Sequence, residues 1–264
     1  MDIYTLTPGT APLLISFPHS GTHIPAALAA RLTEAALQRA DVDWHLPQLY
    51  DAFTRALGAS TLVAHHARHV IDLNRPPEDT SLYPGQDVTG LLPLDTFRKE
   101  PLYRPGQAPD AAETDERREL YWRPYHDALR TELERLRVRH GAVVLWDAHS
   151  IASVMPRFFA GKLPDLNLGT AEGRACAPRV QAAVEAVMAA QRGGYTHISN
   201  ARFKGGHITR HYGRPELGIH ALQMEMCQST YMDEEAPFGY RPDLAAQVQP
   251  LLQGMLKAAV DACT

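Results

Sequence analysis

The chain has 264 residues, of which 45% are hydrophobic and 21% charged, and its formal net charge is −4. This length can bury a full core, and the slightly acidic balance argues against a nucleic-acid partner, which would require a basic face. Three widely separated cysteines (Cys176, Cys227, Cys263) form neither a disulfide framework nor a cysteine zinc site, so we expect a reducing, cytoplasmic environment. We expect no signal peptide and no membrane span, because the start lacks a basic, apolar leader and no apolar run approaches 18 residues.

Five segments in the first 73 residues have the periodicity of regular structure. They are a buried strand over 11–17 that ends at His19, helices over 26–40 and 45–57, and strands over Ser60–Ala64 and His69–Leu73. The last two strands are joined by a short turn, which favours an antiparallel hairpin.

The segment that follows, residues 74–113, holds seven prolines and shows little periodicity, so we expect a binding loop or lid. Regular patterns then resume. They first predict a helix that Pro124 starts or kinks, with Tyr125, Leu129, Leu133 and Leu136 on one face. After it we expect a strand over 142–146, a helix over 172–190, a strand over Ile219–Met226 and a helix over 242–262.

Strands that alternate with helices predict an α/β protein whose sheet is covered on both faces. The chain contains neither G-x-G-x-x-G nor G-x-x-x-x-G-K-[ST], so a dinucleotide or P-loop nucleotide site has no support. In open α/β sheets, ligands bind beyond the carboxyl ends of the strands. Polar residues at those ends are therefore the candidate site.

Two histidines stand where predicted strands end. His19 lies in F-P-H-S-G-T-H after the first strand, and His149 lies in W-D-A-H-S after another. A metal-bound histidine usually donates its second ring N–H to a carboxylate or carbonyl, a role that Asp147 could take for His149. A single histidine is more often a hydrogen-bonded structural residue, and the pair leaves a structural role and a metal site both open.

A catalytic zinc site commonly has two histidines and a carboxylate as protein ligands, with water in the fourth position. Asp43, which opens the second helix in D-V-D-W-H, is our candidate for the carboxylate. The same position suits a helix N-cap. His23 and His45 are competing candidates for the third ligand.

Charged residues near other strands complete the candidates. Asn74 and Arg75 follow the strand predicted over 69–73. An arginine in this position could bind a carboxylate in bidentate fashion, or it could form a salt bridge on the surface. Glu225 lies within the apolar run L-Q-M-E-M, although burial of a carboxylate is costly without a partner. Glu225 either pairs with an arginine or acts as a general base, and we favour the base.

Several ordered motifs run along nearly the whole chain. They are I-S-F-P-H-S-G-T-H-I-P, D-V-D-W-H, D-L-N-R-P, S-L-Y-P-G-Q, Y-W-R-P-Y-H, W-D-A-H-S, F-K-G-G-H-I-T-R-H-Y-G and L-Q-M-E-M. Together they resemble the N-formylglutamate amidohydrolase family, which is similar to zinc carboxypeptidases and aspartoacylases. The resemblance implies one amidohydrolase domain over residues 1–264, with a three-layer α/β/α fold around a central mixed sheet. It also implies a zinc-dependent deformylase that converts N-formylglutamate to formate and glutamate, the last step of a histidine-degradation route.

The resemblance assigns His19 and His149 as zinc ligands. The zinc relatives take two ligands from an H-x-x-E motif, and this motif is broken here because Thr22 stands three residues after His19. The carboxylate ligand must therefore come from elsewhere in the chain, and Asp43 is our choice.

The resemblance also assigns the substrate-binding and catalytic residues. The asparagine–arginine pair that grips a substrate carboxylate in the relatives matches Asn74 and Arg75. The arginine that polarises the scissile carbonyl corresponds to Arg68, and the catalytic glutamate corresponds to Glu225.

N-formylglutamate has two carboxylates, so a second cation is needed. Lys204 and Arg210, in the glycine-rich segment before the last strand, are the candidates, although that segment also reads as a mobile surface loop. Two other functions stay open on the sequence alone. One is a deacylase of another N-acyl acidic amino acid or a small peptide, and the other is a non-catalytic, metal-dependent carboxylate binder.

Overall fold

A seven-stranded mixed sheet forms the centre of the computed structural model, which describes residues 2–263. Its strands are β1 (Tyr4–Thr7), β2 (Leu13–Phe17), β3 (Ser60–Ala64), β4 (Val143–Ile151), β5 (Leu166–Gly169), β6 (His197–Ser199) and β7 (Ile219–Cys227). Across the sheet the order is β1-β3-β2-β4-β7-β5-β6. Strands β3, β2, β4 and β7 run parallel, whereas β1 pairs antiparallel with β3, and β5 pairs antiparallel with β7.

Helices cover both faces of this sheet. They are α1 (Ala26–Ala29), α2 (Glu34–Gln38), α3 (Leu46–Thr54), α4 (Ala111–Arg117), α5 (Arg123–His140), α6 (Pro178–Ala190), α7 (His207–Tyr212) and α8 (Pro242–Cys263). One apolar core lies between the sheet and α3, α6 and α8, and a second lies between the opposite face and α5 and α7. This three-layer arrangement confirms the predicted fold class. Within residues 2–263, no helix combines the length and apolar character needed to cross a membrane.

The central strands β4 and β7 pair in parallel over their whole length. Their side chains alternate between the two cores, so Trp146 and Ala148 join the first core while Leu145 joins the second. The same alternation places Asp147 and His149 on the α5 face. The strand predicted over 142–146 thus continues through both residues to the end of β4, and they lie inside the strand rather than after it.

The helix predicted over 26–40 is wrong as a single element, because α1 and α2 are separated. Thr33 is the cause. Its N–H donates to the carbonyl of Leu102 at 3.0 Å and its hydroxyl donates to that of Pro101 at 2.8 Å. Its Oγ1 also accepts from the N–H of Ala36 and caps α2.

The strand predicted over His69–Leu73 is also wrong. The chain turns there, since the N–H of Val70 donates to the carbonyl of Ala67 and the N–H of Arg75 donates to that of Asp72. Strand β3 pairs with β1 and β2 instead, so the predicted hairpin does not form.

Residues 74–110 hold no helix or regular strand, in agreement with the predicted long loop. Helical structure then runs from α4 through a π-helical turn at Arg118–Trp122 into α5. Pro124 lies in the first turn of α5, where its missing N–H costs little. Helix α6 begins at Pro178, six residues later than predicted.

Candidate metal centre and substrate cavity

Three buried side chains from separate segments meet near the carboxyl end of β2. His19 follows β2, Asp43 lies in the turn before α3, and His149 lies in β4. One ligand atom from each lies within 4.8 Å of the other two, and their exposed fractions are 3%, 1% and 3%. The N–H of Asp43 donates to the carbonyl of His19 at 3.0 Å, which joins two of the segments.

The polar atoms at the centre of this group are arranged as metal ligands would be. Nδ1 of His19 and Oδ1 of Asp43 are buried without a hydrogen-bond partner. Oδ2 of Asp43 lies 3.2 Å from Nδ1 of His149 and 3.9 Å from Nδ1 of His19. Buried polar atoms without partners are costly, and a cation would satisfy them. Two imidazoles and a carboxylate form a donor set that suits zinc, so the group could hold a metal ion.

Each of these histidines has a carboxylate on its other ring nitrogen. Nε2 of His19 donates to Oδ1 of Asp72 at 2.7 Å, and Nε2 of His149 donates to Oδ2 of Asp147 at 2.9 Å. Such partners fix the ring orientation of a metal-binding histidine and leave Nδ1 free for the metal. Asp147 is the partner predicted for His149. Asp72 was not predicted, although its place two residues before Asn74 in D-L-N-R-P offered a signal.

The surroundings shift the pKa values of the two histidines in opposite directions. Burial lowers the pKa of His19, and the nearby guanidinium of Arg68 lowers it further, which favours the neutral form. Burial also disfavours the charged form of His149, but the carboxylates of Asp147 and Asp43 raise its pKa well above the usual value. The two carboxylates favour a proton on Nδ1 of His149, which is also the atom that would bind a metal ion. Metal binding at this atom would therefore release a proton.

The two competing ligand candidates lie apart from this group. Nε2 of His45 donates to the carbonyl of Phe238 at 2.7 Å, and the ring of His23 packs edge-on against His66 with centroids 5.0 Å apart. The N-cap residue of α3 is His45, so Asp43 does not have the capping role that its position also suited.

Glu225 lies next to His149 on the neighbouring strand, because the two are paired in the register of β4 and β7. Burial raises the pKa of its carboxyl to about 8. Nε2 of Gln223 donates to Oε2 of Glu225 at 3.2 Å, and within residues 2–263 no arginine or lysine lies within 4.0 Å of this carboxyl. Its environment therefore suits proton transfer near neutral pH better than a structural ion pair.

The guanidinium of Arg68 is held on three sides. Nη2 donates to Oδ2 of Asp72 at 2.7 Å, Nη1 lies 4.0 Å from Oδ1 of Asp43, and the guanidinium carbon lies 4.6 Å from the ring centroid of Phe97. Asp72 therefore orients both Arg68 and His19. Arg68 lines the same cavity as His19 and Glu225.

Asn74 and Arg75 also line this cavity. The amide of Asn74 donates to Oδ2 of Asp147 at 3.0 Å and accepts from the N–H of Ile208 at 2.8 Å, so it already binds protein groups. Arg75 donates from Nε to the carbonyl of Thr89 at 2.7 Å. In the described part of the chain, no carboxylate lies within 4.0 Å of Arg75, which leaves its charge available to an anion.

Lys204 and Arg210 are not among the cavity-lining residues of the described chain. The ammonium of Lys204 pairs with Glu172 at 2.7 Å, and Nε of Arg210 donates to the carbonyl of Gly205 at 2.8 Å. Arg202, which the sequence did not single out, does line the cavity. The cation-rich run A-R-F-K-G-G was the available signal, but it does not tell which basic residue faces inward.

Together these features define a class of protein. It has a three-layer α/β/α fold with a buried His–Asp–His group able to hold a metal, and a buried carboxyl and several arginines line the adjacent cavity. This is the layout that metal-dependent hydrolases use.

The comparison with known families shows which family the chain belongs to. Residues 11–232 match the family described as N-formylglutamate amidohydrolase, and the chain belongs to this family. This confirms the resemblance seen in the sequence motifs.

Individual relatives agree over almost the whole chain. The chain is 50% identical over 257 residues to an N-formylglutamate deformylase of Pseudomonas aeruginosa, covering 97% of this chain and 96% of that protein. It is 52% identical over 250 residues to one of Pseudomonas putida, covering 95% of this chain and 92% of that protein. Among solved structures, the N-formylglutamate amidohydrolase of Ralstonia eutropha JMP134 superposes with a TM-score of 0.83 at 29% identity, covering 99% of this chain and 98% of the other.

Proposed function

We propose that the protein hydrolyses the N-formyl amide of N-formyl-L-glutamate to formate and L-glutamate, with a zinc ion held by His19, Asp43 and His149. The carrying observation is the placement of Glu225, a buried carboxyl without an arginine partner, directly beside this metal-ligand group. Relatives that share about half of the sequence are named for the same activity. The reaction would complete a histidine-degradation route in the cytoplasm.

The chemistry follows from the position of each side chain. Zinc, when bound, would supply a Lewis acid at the water and the formyl oxygen. Glu225 accepts a proton from the water as the water oxygen attacks the formyl carbon. Arg68, fixed by Asp72, donates to the formyl oxygen as negative charge develops there. When the C–N bond breaks, Glu225 returns the proton to the leaving nitrogen, which departs as the amine of glutamate.

Arg75 binds one of the two substrate carboxylates. Its hydrogen bond to Thr89 fixes the guanidinium at the cavity wall, and no protein carboxylate in the described chain neutralises it. An arginine fork matches a carboxylate geometrically, so this contact also sets the orientation of the substrate. Asn74 holds Asp147 and thereby supports His149.

The test combines metal analysis with turnover. Protein purified without chelator should contain close to one zinc or similar divalent ion per chain and should release formate from N-formylglutamate. Removal of the metal should abolish turnover, and added zinc should restore it. Full activity of a verified metal-free sample would overturn the metal mechanism. If the zinc-loaded protein ignores N-formylglutamate but cleaves another N-acyl amino acid, the substrate assignment is wrong. If it binds carboxylates but cleaves none of a panel of N-acyl acids, the protein is a binder.

A further inference from the structure

Arg202 faces the same cavity as Arg75 and Glu225. Its guanidinium carbon lies 5.6 Å from the ring centroid of Tyr83 and 5.5 Å from those of Phe158 and Phe203. Three rings around one guanidinium form a box that we call the aromatic box. Each ring attracts a cation through its quadrupole, so the box stabilises a charged group that is partly removed from water.

The box leaves one edge of the guanidinium unused. Nε of Arg202 donates to the carbonyl of Phe158 at 2.6 Å, whereas its two terminal nitrogens have no hydrogen-bond partner in the described chain. No carboxylate of residues 2–263 lies within 4.0 Å of it. Two adjacent terminal N–H groups form the fork that binds a carboxylate in bidentate fashion.

The parts of the box are themselves held in place. The hydroxyl of Tyr83 donates to the carbonyl of Gly205 at 3.1 Å and accepts from the N–H of Lys204 at 3.2 Å. The long loop is therefore tied to the segment that carries Arg202. A fixed cation loses little conformational freedom when it binds a ligand, which favours specificity.

Electrostatics point to an anion as the missing partner. Both Arg202 and Arg75 line the cavity, and burial lowers the pKa of Arg202. Two like charges in a partly desolvated space repel each other, and a ligand with two negative charges would neutralise both.

We propose that Arg202, set in the aromatic box, binds the second carboxylate of the substrate and makes the enzyme selective for N-formyl derivatives of dicarboxylic amino acids. This inference rests on the proposed function, and it assigns the subsite to Arg202 rather than to Lys204 or Arg210. Those two side chains bind Glu172 and Gly205 outside the cavity lining.

The test compares two substrates that differ by one charge, N-formylglutamate and N-formylglutamine. In Arg202→Gln, kcat/KM for N-formylglutamate should fall roughly tenfold to a hundredfold, mostly through KM, because a charge-assisted contact is lost. Turnover of N-formylglutamine should change by less than about threefold, since no charged contact is lost. Arg202→Lys should lie between wild type and Arg202→Gln. Arg174→Gln, at an exposed arginine paired with Glu172, is the matched control and should behave as wild type.

Other results would overturn the assignment. Equal losses for both substrates would mean that Arg202 does not bind the side-chain carboxylate. Loss of selectivity in Lys204→Met or Arg210→Gln, with Arg202→Gln unchanged, would move the subsite to that residue.

A binding measurement separates this inference from the proposed function. Glutarate carries two carboxylates and no amide, so its calorimetric affinity reports the two subsites without any chemistry. If the wild type cleaves neither substrate but binds glutarate in an Arg202-dependent way, the function fails and the subsite stands. If it deformylates N-formylglutamate while Arg202→Gln leaves glutarate affinity and selectivity unchanged, the subsite fails and the function stands.

Discussion

The cavity has two walls that are built differently. We call one the sheet wall, and its members stand in strands of the sheet or just after them: His19, His149, Gln223 and Glu225. We call the other the loop wall, and its members lie in segments without regular structure: Arg75, Tyr83, Phe97, Phe158 and Arg202. The sheet wall is almost fully buried, whereas the two arginines of the loop wall are half-buried.

This difference separates two tasks. Side chains on paired strands are held by the sheet register and by hydrogen bonds such as that from His149 to Asp147, which gives the precision that proton transfer and metal binding need. Loops vary and adapt more easily, and here they carry the two arginines that we propose to bind the substrate carboxylates. Changes in the sheet wall should therefore impair every substrate, and changes in the loop wall should alter discrimination between substrates.

The largest effect should come from the sheet-wall histidines. His19→Ala and His149→Ala should each lower bound metal well below one ion per chain and reduce turnover of all substrates to near background, because each removes one of three proposed ligands. Metal analysis and a formate-release assay measure both quantities. His140→Ala is the matched control, since this half-buried histidine donates to the carbonyl of Thr10 and is not part of the cavity lining. Unchanged metal content in Asp43→Ala would contradict the third ligand.

Glu225→Gln should have the next largest effect. It keeps the shape of the side chain but cannot accept a proton, so kcat should fall by roughly 10²–10⁴, the usual contribution of a general base. N-formylglutamate and N-formylglutamine should be affected equally, as expected for the sheet wall. Metal content should stay constant. Loss of metal together with activity would make Glu225 a ligand or a structural partner instead.

The sheet wall was the more predictable of the two. His19, His149 and Glu225 lie beside or within apolar runs, and such runs identify central strands from the sequence alone. Same-side projection along a strand then relates Asp147 to His149. The exact ends of β4 were less predictable, because polar residues that serve a site resemble residues that end a strand.

Apart from Arg75, the loop wall could not be predicted in the same way. Arg202 acquires its surroundings from Tyr83 and Phe158, which are distant in sequence and lie in segments without periodicity. The turn that holds Asp72 resembles a strand in the sequence because of its apolar residues, whereas its hydrogen bonds depend on side chains elsewhere in the chain. The strands β1, β5 and β6 span only three or four residues, too few for a recognisable alternation.

Asp72 contacts both His19 and Arg68, so a change at Asp72 tests whether the proposed roles of these two residues depend on their shared partner. In Asp72→Asn, His19 and Arg68 lose a charged partner, so metal affinity should fall roughly 10–100-fold and kcat should fall as well. A competition titration with a chromophoric chelator measures the affinity. Asp147→Asn is the matched variant, and it should weaken metal binding through His149 without affecting Arg68. Equal kcat at saturating metal in both variants would contradict the role of Asp72 on Arg68.

Arg75→Lys tests the role of the loop wall in substrate binding. Lysine keeps the charge but loses the planar fork, so kcat/KM for N-formylglutamate should fall roughly tenfold to a hundredfold with metal content unchanged. A substrate amide in place of the carboxylate that Arg75 binds should react poorly with the wild type but lose little more in the variant, because two groups in contact do not contribute independently. If the two losses simply multiply, Arg75 does not contact that carboxylate.

The smallest effect is expected from a change at Arg157, which links two segments of the loop wall. Arg157 donates from Nη1 to Oδ1 of Asp95 and to the carbonyl of Thr96, both at 2.7 Å, and from Nη2 to Oδ1 of Asp87 at 2.9 Å. The side chain of Arg157 is buried although both carboxylates are partly exposed. It therefore joins the segment that carries Phe158 to the long loop that carries Tyr83 and Phe97.

Arg157→Gln should weaken the contact between these two segments and leave the sheet wall unchanged. Partly exposed ion pairs contribute about 0.2–1 kcal/mol each, so ordering the loop around substrate should raise KM by roughly twofold to tenfold while kcat stays close to wild type. Limited proteolysis should cleave the long loop faster, because local opening is easier. Arg98→Gln, which removes an exposed arginine of the same loop that lies 3.6 Å from Glu235, is the control. A fall in kcat for every substrate at unchanged KM would show that the contacts of Arg157 support the chemical step. The two walls would then not have separate tasks.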